Sequence, residues 1–344
     1  MDPALHAAID AQPGLAAHFA ARPVLVTGGL GFVGSNLART LHELGAMVTV
    51  VDNLAVGCGG TRANVSDLES QIVVHLVDQA DAVKMAELAP QFEMVFNLVG
   101  RVSHIDSMSD PLSDLYTNVT AHLGLLEAFR RKNPKAKIVH GGSRCQYGHT
   151  DGRPTPETAL PAAVDVNGVN KQAGEQHHFV YARAFGLRVV SLRLSNTYGP
   201  RMTLRSPANG VLPWFVRQAL EGKELHLFGG GQQKRDCVYI DDVVLACLMA
   251  MRSDRAEGEV FNIGATPVSL AEVARLIVDA AGKGRIVDHP FPPEHKRVEV
   301  GDFVADCTKA RAQLGWGTTT LLADGIARTV AFYRAHGTGP WAAG

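Results

Sequence analysis

The chain has 344 residues, of which 46% are hydrophobic and 19% charged, with a formal net charge of -1. Such a chain suits a soluble globular protein with one large α/β domain or two interleaved lobes, and its near-neutrality gives no support for nucleic-acid or acidic-membrane binding. No apolar run of about eighteen residues would span a membrane, and the five scattered cysteines (58, 145, 237, 247 and 307) form no C-x-x-C pair, which suits a cytoplasmic protein and suggests no metal site.

Residues 1–22 are alanine-rich, contain Asp2 and Asp10, and lack a basic start and a continuous apolar core. They read as a helical extension or a poorly ordered tail, not as a secretory signal. The apolar run Val24-Leu25-Val26 leads into Thr27-Gly28-Gly29-Leu30-Gly31-Phe32-Val33-Gly34. Glycines at this spacing suit a strand-to-helix turn that bends sharply, brings backbone N–H groups to a pyrophosphate and packs helix on sheet. An amphipathic helix is predicted from Ser35 to Leu44 with Gly45 as its C-cap, then a strand from Met47 to Val51 that closes on Asp52. An acid about twenty positions past the glycines is placed to grip an adenosine ribose. Strand, glycines, helix, strand and acid in register predict a dinucleotide site. Asp52-Asn53 favours NAD, because a carboxylate repels the 2′-phosphate of NADP.

The segment Leu54 to Ser70 reads as a polar loop with a short helix, and Ile72 to Val77 as a strand ending at Asp78-Gln79. That polar pair suits either the edge of an adenine or a helix N-cap. Ala80 to Leu88 is predicted helical, and Met94 to Val99 is a buried strand that runs into Gly100-Arg101. Asp114 to Lys132 has helical spacing, with Asn118 a polar interruption; Ile138 to His140 is a strand opening into Gly141-Gly142-Ser143. A long helix follows from Gly168 to Phe185, containing Lys171, then a strand from Arg188 to Leu194. From Ser195 the composition becomes loop-rich, with a helix near Trp214 to Leu220. Arg235-Asp236 leads into an apolar strand, Asp241-Asp242 mark a helix start, Val260 to Ile263 is one more strand, and Leu270 to Ala281 a helix.

Alternating strands and helices predict an α/β fold with a doubly wound parallel (Rossmann) sheet. Residues 23–195 are expected to form this nucleotide-binding domain, with strand and helix returns near 236–264. Residues 196–235 and 265–344 are expected to form a smaller, mostly C-terminal substrate-binding lobe. Ligands on such sheets lie past the carboxyl ends of the strands, where Gly100-Arg101 and Ser143 fall.

The chain resembles the NAD-dependent nucleotide-sugar epimerase/dehydratase branch of the extended short-chain dehydrogenases/reductases, over about residues 23 to 335. The likeness is carried by the glycine stretch, Asp52-Asn53-Leu54, Ser143-x-x-x-Tyr147-Gly148, Asn170-Lys171-x-x-Gly174-Glu175, Arg193-x-x-Asn196-x-Tyr198-Gly199-Pro200, Arg235-Asp236-x-Val238-Tyr239-x-Asp241-Asp242 and Leu314-Gly315-Trp316. By resemblance, Gly28, Gly31, Phe32, Val33 and Gly34 hold the pyrophosphate of NAD, Asp52 and Asn53 the ribose side, and Asp78-Gln79 the adenine. Leu98, Val99, Gly100, Asn118 and Ser195 would line the cofactor channel, and Lys171 would grip the nicotinamide ribose. Arg101, Ser143, Asn196, Arg235 and Arg297 fall on the substrate side, where guanidinium groups suit a nucleotide diphosphate. A homodimer through the helices containing Asn118 and Lys171 is also implied.

One departure matters. The family's catalytic motif is Tyr-x-x-x-Lys, and its tyrosine position here is Asn167, in Asp165-Val166-Asn167-Gly168-Val169-Asn170-Lys171. An amide does not titrate near neutrality and cannot be the general base. Cys145 stands where related dehydratases carry a glutamate, and a thiol near Lys171 can serve as acid or base, or be a small buried residue. His104 suits proton transfer near neutral pH, and Tyr147 belongs to a family turn and reads as structural. Water oriented by Ser143 is another substitute.

Without the glutamate a 4,6-dehydration lacks its base, whereas inversion at C4 needs only removal and return of hydride. The expectation is therefore a 4-epimerase-like reaction through a 4-keto sugar with a non-tyrosine proton carrier. Alternatives are an NAD- and nucleotide-sugar-binding protein without standard redox activity, or a C3 or C5 epimerisation or dehydration.

Overall fold

The computed structural model describes residues 1–290 and 301–342. The strands of the first half are β1 (Pro23–Thr27), β2 (Met47–Asp52), β3 (Val73–Leu76), β4 (Met94–Asn97), β5 (Lys137–Ser143) and β6 (Pro154–Thr155). Those of the second are β7 (Arg188–Leu194), β8 (Asn196–Tyr198), β9 (Glu224–Phe228), β10 (Lys234–Tyr239), β11 (Val260–Ile263), β12 (Pro267–Ser269), β13 (Arg285–His289) and β14 (Val304–Ala305). Helices α1 (Pro3–Asp10), α2 (Leu15–Phe19), α3 (Phe32–Glu43), α4 (Ala82–Leu88), α5 (His104–Ser109), α6 (Pro111–Leu115) and α7 (Ala121–Lys132) precede the long α8 (Val166–Phe185). They are followed by α9 (Val211–Leu220), α10 (Ile240–Arg252), α11 (Leu270–Ala281), α12 (Leu322–His336) and α13 (Gly339–Ala342).

Seven strands form one parallel sheet in the order β11-β7-β5-β4-β1-β2-β3. The apolar runs read from the sequence are its inner strands: Val24, Leu25 and Val26 in β1 and Val95 and Phe96 in β4 are fully buried. A strand covered on both faces needs such a run and not an alternating one. The chain winds outward from β1 to β3, then returns to β4 and winds the other way. The crevice past the carboxyl ends of β1 and β4 is therefore the topological switch point. The smaller sheets, β12-β10-β8, β13-β9 and β14-β6, draw most of their strands from the chain after residue 195. Among the described residues no helix is long and apolar enough to cross a membrane.

Three local outcomes differ from the periodicity reading. Helix α3 begins at Phe32 and not at Ser35, because Gly31 is its extended N-cap and Gly34 already lies inside the helix. A Cβ on Gly34 would stand 2.2 Å from the Gly28 carbonyl oxygen, so only glycine permits this approach. The helix expected over 114–132 is interrupted: α6 passes into α7 through a π-turn at Tyr116–Thr120 that contains Asn118. One extra residue in a turn shifts the side chains beyond it around the axis, and such bulges often mark functional sites. Helix α8 starts at Val166, because the Asp165 carboxylate caps it by accepting from the Gly168 N–H at 2.8 Å.

Residues 3–10 and 15–19 are helical. Leu5, Ile9, Leu15 and Phe19 of α1 and α2 are buried, and both helices pack against α10. Arg252 of α10 donates to the Pro13 carbonyl at 2.5 Å, and the Met1 ammonium pairs with Glu43 at 2.5 Å. Truncating a fully buried phenylalanine removes its transfer energy and leaves a cavity. Phe19→Ala should therefore lower the unfolding free energy by about 3–5 kcal/mol. Urea unfolding checks this, and a loss below about 1 kcal/mol would mean that the N-terminal helices are not part of the cooperative core.

Candidate active site

The switch-point crevice opens to solvent past the carboxyl ends of β1 and β4. Its walls include Gly28 and Gly31 from the turn after β1, Asp52 and Asn53 after β2, Asp78 and Gln79 after β3, and Leu98, Val99 and Gly100 after β4. Phe32, Val33 and Gly34 form the first turn of α3, which has no side-chain N-cap, so its backbone donors suit an anion. The Asp52 carboxylate accepts from the N–H of Leu30 at 3.0 Å and of Leu54 at 2.8 Å. Burial pushes its pKa up, and these two bonds pull against that shift. Asp78 accepts from Ala80 N–H at 2.7 Å and Asn53 Nδ2 at 2.8 Å, while the N-cap of α4 is Asp81. The capping alternative for Asp78 thus falls to a neighbour three residues on. Gln79 is buried, donates to the Ala121 carbonyl at 3.0 Å, and leaves its Oε1 without a partner.

Beside the cavity, one buried carboxylate gathers three amides. Asp114 Oδ1 accepts from Asn118 Nδ2 at 3.0 Å and Asn170 Nδ2 at 2.8 Å, and Oδ2 from Asn167 Nδ2 at 2.9 Å. The second Asn167 Nδ2 hydrogen goes to the Arg101 carbonyl at 2.9 Å, its Oδ1 accepts the Cys145 thiol at 3.6 Å, and its N–H donates to Ser107 Oγ at 3.2 Å. Asn167 is therefore locked in place and fully hydrogen-bonded. Lys171, one turn further along α8, is also buried; burial lowers its pKa, against the pull of Cys145 and Asp114. A Cβ on Gly100 would lie 2.2 Å from Lys171 Nζ, so the absence of a side chain there gives the ammonium its position.

The proton-carrier candidates separate clearly. Burial pushes the Cys145 thiol up, and Ser143 and Lys171 only moderate the shift, so Cys145 stays a protonated donor. Tyr147 is buried, raised by burial, and occupied: its hydroxyl donates to Asn262 Oδ1 at 2.8 Å and accepts from Arg193 at 2.6 Å. His104 begins α5 with 38% of its side chain exposed, and its Nδ1 lies 2.5 Å from Asp165 Oδ2. Burial opposes ionisation of Asp165, but the His104 bond and charge outweigh it and hold the carboxyl below its usual range. A carboxylate only accepts, so Nδ1 carries the hydrogen, and in the neutral ring Nε2 then carries the lone pair. This His–Asp pair stands at the N-cap of α8, two residues before Asn167.

On the side facing the smaller sheets, Ser143 Oγ accepts the Cys145 N–H at 3.2 Å, which leaves its own hydroxyl hydrogen to donate elsewhere. Asn196 Oδ1 accepts from Arg144 at 3.4 Å, while Asn196 Nδ2 is buried without a partner. Arg235 is buried and donates to the carbonyls of Lys234 and Gly301 at 3.0 and 2.9 Å. Arg101 folds against the loop after β2, donating to the Val56 carbonyl at 2.7 Å. Ser195 donates to the Asp236 carbonyl at 2.9 Å. Arg297 lies outside the described residues. Sequence reading missed Asp114, Arg144 and the pairing of Asp165 with His104. Asp114 stands four residues before Asn118, a helical i, i+4 spacing that hinted at the first.

A family model described as the NAD dependent epimerase/dehydratase family matches residues 24–264. The UDP-glucose 4-epimerase of Mycolicibacterium smegmatis is 34% identical over 90% of this chain and 98% of its own length. The CDP-paratose 2-epimerase of Salmonella typhi is 30% identical over 88% and 96%. The crystal structure of the Thermotoga maritima UDP-glucose 4-epimerase with UDP-glucose superposes with a TM-score of 0.83 at 33% identity, covering 91% of this chain and 99% of that one.

The locked amide makes a sharp prediction. Asn167→Asp places a second carboxylate about 2.9 Å from Asp114 Oδ2. Like charges raise the folded-state pKa of the pair above the unfolded value of about 4. At lower pH the only cost is one hydrogen bond, because a protonated Asp in place of Asn167 has a single hydrogen for the Arg101 carbonyl and Asp114. Stability declines further as pH rises through about 4 toward the raised folded-state pKa. Chemical denaturation at pH 4 and pH 8 reads it out: a loss of several kcal/mol is expected at pH 8 only. An equal loss at both values would contradict the Asp114 contact.

Proposed function

The chain belongs to the NAD dependent epimerase/dehydratase family, and from that membership and the geometry above we propose that it is an NAD-dependent nucleotide-sugar 4-epimerase whose proton carrier is His104. The carrying observation is the His104–Asp165 pair beside an Asn167 that cannot titrate. The crevice fits the cofactor: uncapped donors at the start of α3 for the diphosphate, Asp52 for ribose hydroxyls, and the orphaned Gln79 Oε1 as an acceptor for an adenine amino group. Bound there, NAD supplies a hydride acceptor that later returns the same hydride. Lys171 fixes the inner ribose and supplies positive charge through Gly100's open side. His104 Nε2 takes the proton from the C4 hydroxyl, Asp165 stabilises the imidazolium, and Ser143 donates to the developing oxyanion. The 4-keto sugar turns over, and the proton comes back from His104 as C4 is reduced on its other face. The partnerless Nδ2 of Asn196, with Arg144 behind it, is the proposed anchor for the sugar-linked diphosphate, joined by Arg235.

A second copy of the chain is the proposed partner at α6 and α8. These helices pack together and leave Leu112, Leu115, Val169 and Val180 exposed.

Incubation with UDP-, dTDP- and GDP-sugars in D₂O, followed by NMR, tests the reaction. Inversion at C4 with no deuterium there is expected, as direct hydride return requires. Deuterium at C3 or C5 would shift the reaction to enolisation, and an unchanged panel would defeat the epimerase reading. Turnover of His104→Ala should fall by about 10²–10⁴, and that of Cys145→Ser by less than tenfold. The reverse ranking would move the proton to the thiol.

A further inference from the structure

Behind the cofactor crevice, three histidines meet in the interior. His122 on α7, His140 on β5 and His178 on α8 are each at most 1% exposed. One ring nitrogen from each lies within 4.8 Å of the others. His140 stacks on His178 at 4.2 Å between ring centroids, and both face His122 edge-on at 5.1 and 5.4 Å.

The hydrogen bonding fixes which nitrogens carry lone pairs. His178 Nδ1 lies 2.7 Å from the Gly174 carbonyl, so Nδ1 carries the hydrogen and Nε2 is a bare donor atom. That Nε2 and His122 Nδ1 converge on Asn97 Nδ2 at 3.0 and 2.9 Å, and Asn97 Oδ1 accepts from Thr27 at 3.1 Å. His140 has no partner for either ring nitrogen, and His122 reaches the Val99 backbone as well as Asn97. A buried imidazole with both nitrogens unsatisfied is unusual in a packed core, and a bound water or ion is what such a group calls for.

We propose that His122, His140 and His178 form a binding site for a borderline first-row divalent cation such as Zn²⁺ or Co²⁺. Three imidazoles and no carboxylate select this class over Mg²⁺ and Ca²⁺. Zn–N bonds of about 2.0–2.1 Å in a tetrahedron need ring nitrogens about 3.4 Å apart. The rings come together by turning about their Cβ–Cγ bonds, with the His178–Gly174 bond holding that ring's tautomer as an outer-shell partner does. Asn97 turns its amide to present Oδ1 as the fourth ligand. The charge of Lys171 opposes the ion, so occupancy rests on the three imidazoles and the Asn97 oxygen and not on charge. The site went unread in the sequence because the cysteines carry no metal spacing and the histidines are contributed by three separate elements.

The full-length protein is expressed with added zinc, desalted, and assayed for metal per chain, with the visible spectrum of a Co²⁺-loaded sample as the second readout. One equivalent of zinc and a tetrahedral Co²⁺ spectrum are expected. His140→Ala should hold at least about tenfold less metal with unchanged circular dichroism. His122→Gln replaces it if that variant does not fold. His226→Ala, which breaks the exposed His226–His289 pair, should hold as much as the parent. Metal-free parent protein, or equal metal in the interior variant, overturns the site, and loss in His226→Ala assigns the ion to the surface pair.

Discussion

A single buried carboxylate holds the site together. Asp114 is 1% exposed and is solvated by the amides of Asn118, Asn167 and Asn170 in place of water. A carboxylate removed from water is costly unless its lone pairs are met, and here neutral donors meet them. Two of the amides stand on α8 and the third on the π-turn, so satisfying Asp114 pins the start of α8 against the end of α6. That contact fixes where Lys171 falls. It also gives Asn167 a structural reason: one NH₂ group reaches both Arg101's carbonyl and Asp114, whereas a phenol has a single hydrogen to give.

A second buried interaction braces the other end of the same helix segment. Glu175 and Arg193 pair at 2.6 Å with exposures of 0% and 6%, and Glu175 also accepts from Ser191 and Gln146. Arg193 in turn donates to the Tyr147 hydroxyl. Removal of either partner leaves an uncompensated charge in the interior, at a penalty of about 3–5 kcal/mol. This lattice joins α8 and β7 to the turn after Ser143, and it engages the Tyr147 hydroxyl within the scaffold.

Much of this was legible in the chain itself because it is local. The β1 run, the glycines at 28, 31 and 34 and Asp52 lie within about thirty residues, and period and turn chemistry read such segments directly. The outline of α8 was legible for the same reason, and its true start depended on the Asp165 cap. What escaped reading spans distance: Asp114 meets Asn167 across 53 residues, and His104 meets Asp165 across 61. Neither pairing has a periodicity. The π-turn at Asn118 escaped because an insertion of one residue leaves helical spacing nearly intact on both sides.

The packing of α1 and α2 on α10 sets an order for assembly. Residues 3–19 find their partner helix only after residue 252 has been made. Until then Leu15 and Phe19, fully buried in the finished protein, have no surface to close on. This segment is thus synthesised long before the helix that covers it, and during translation its apolar face is open to chaperones.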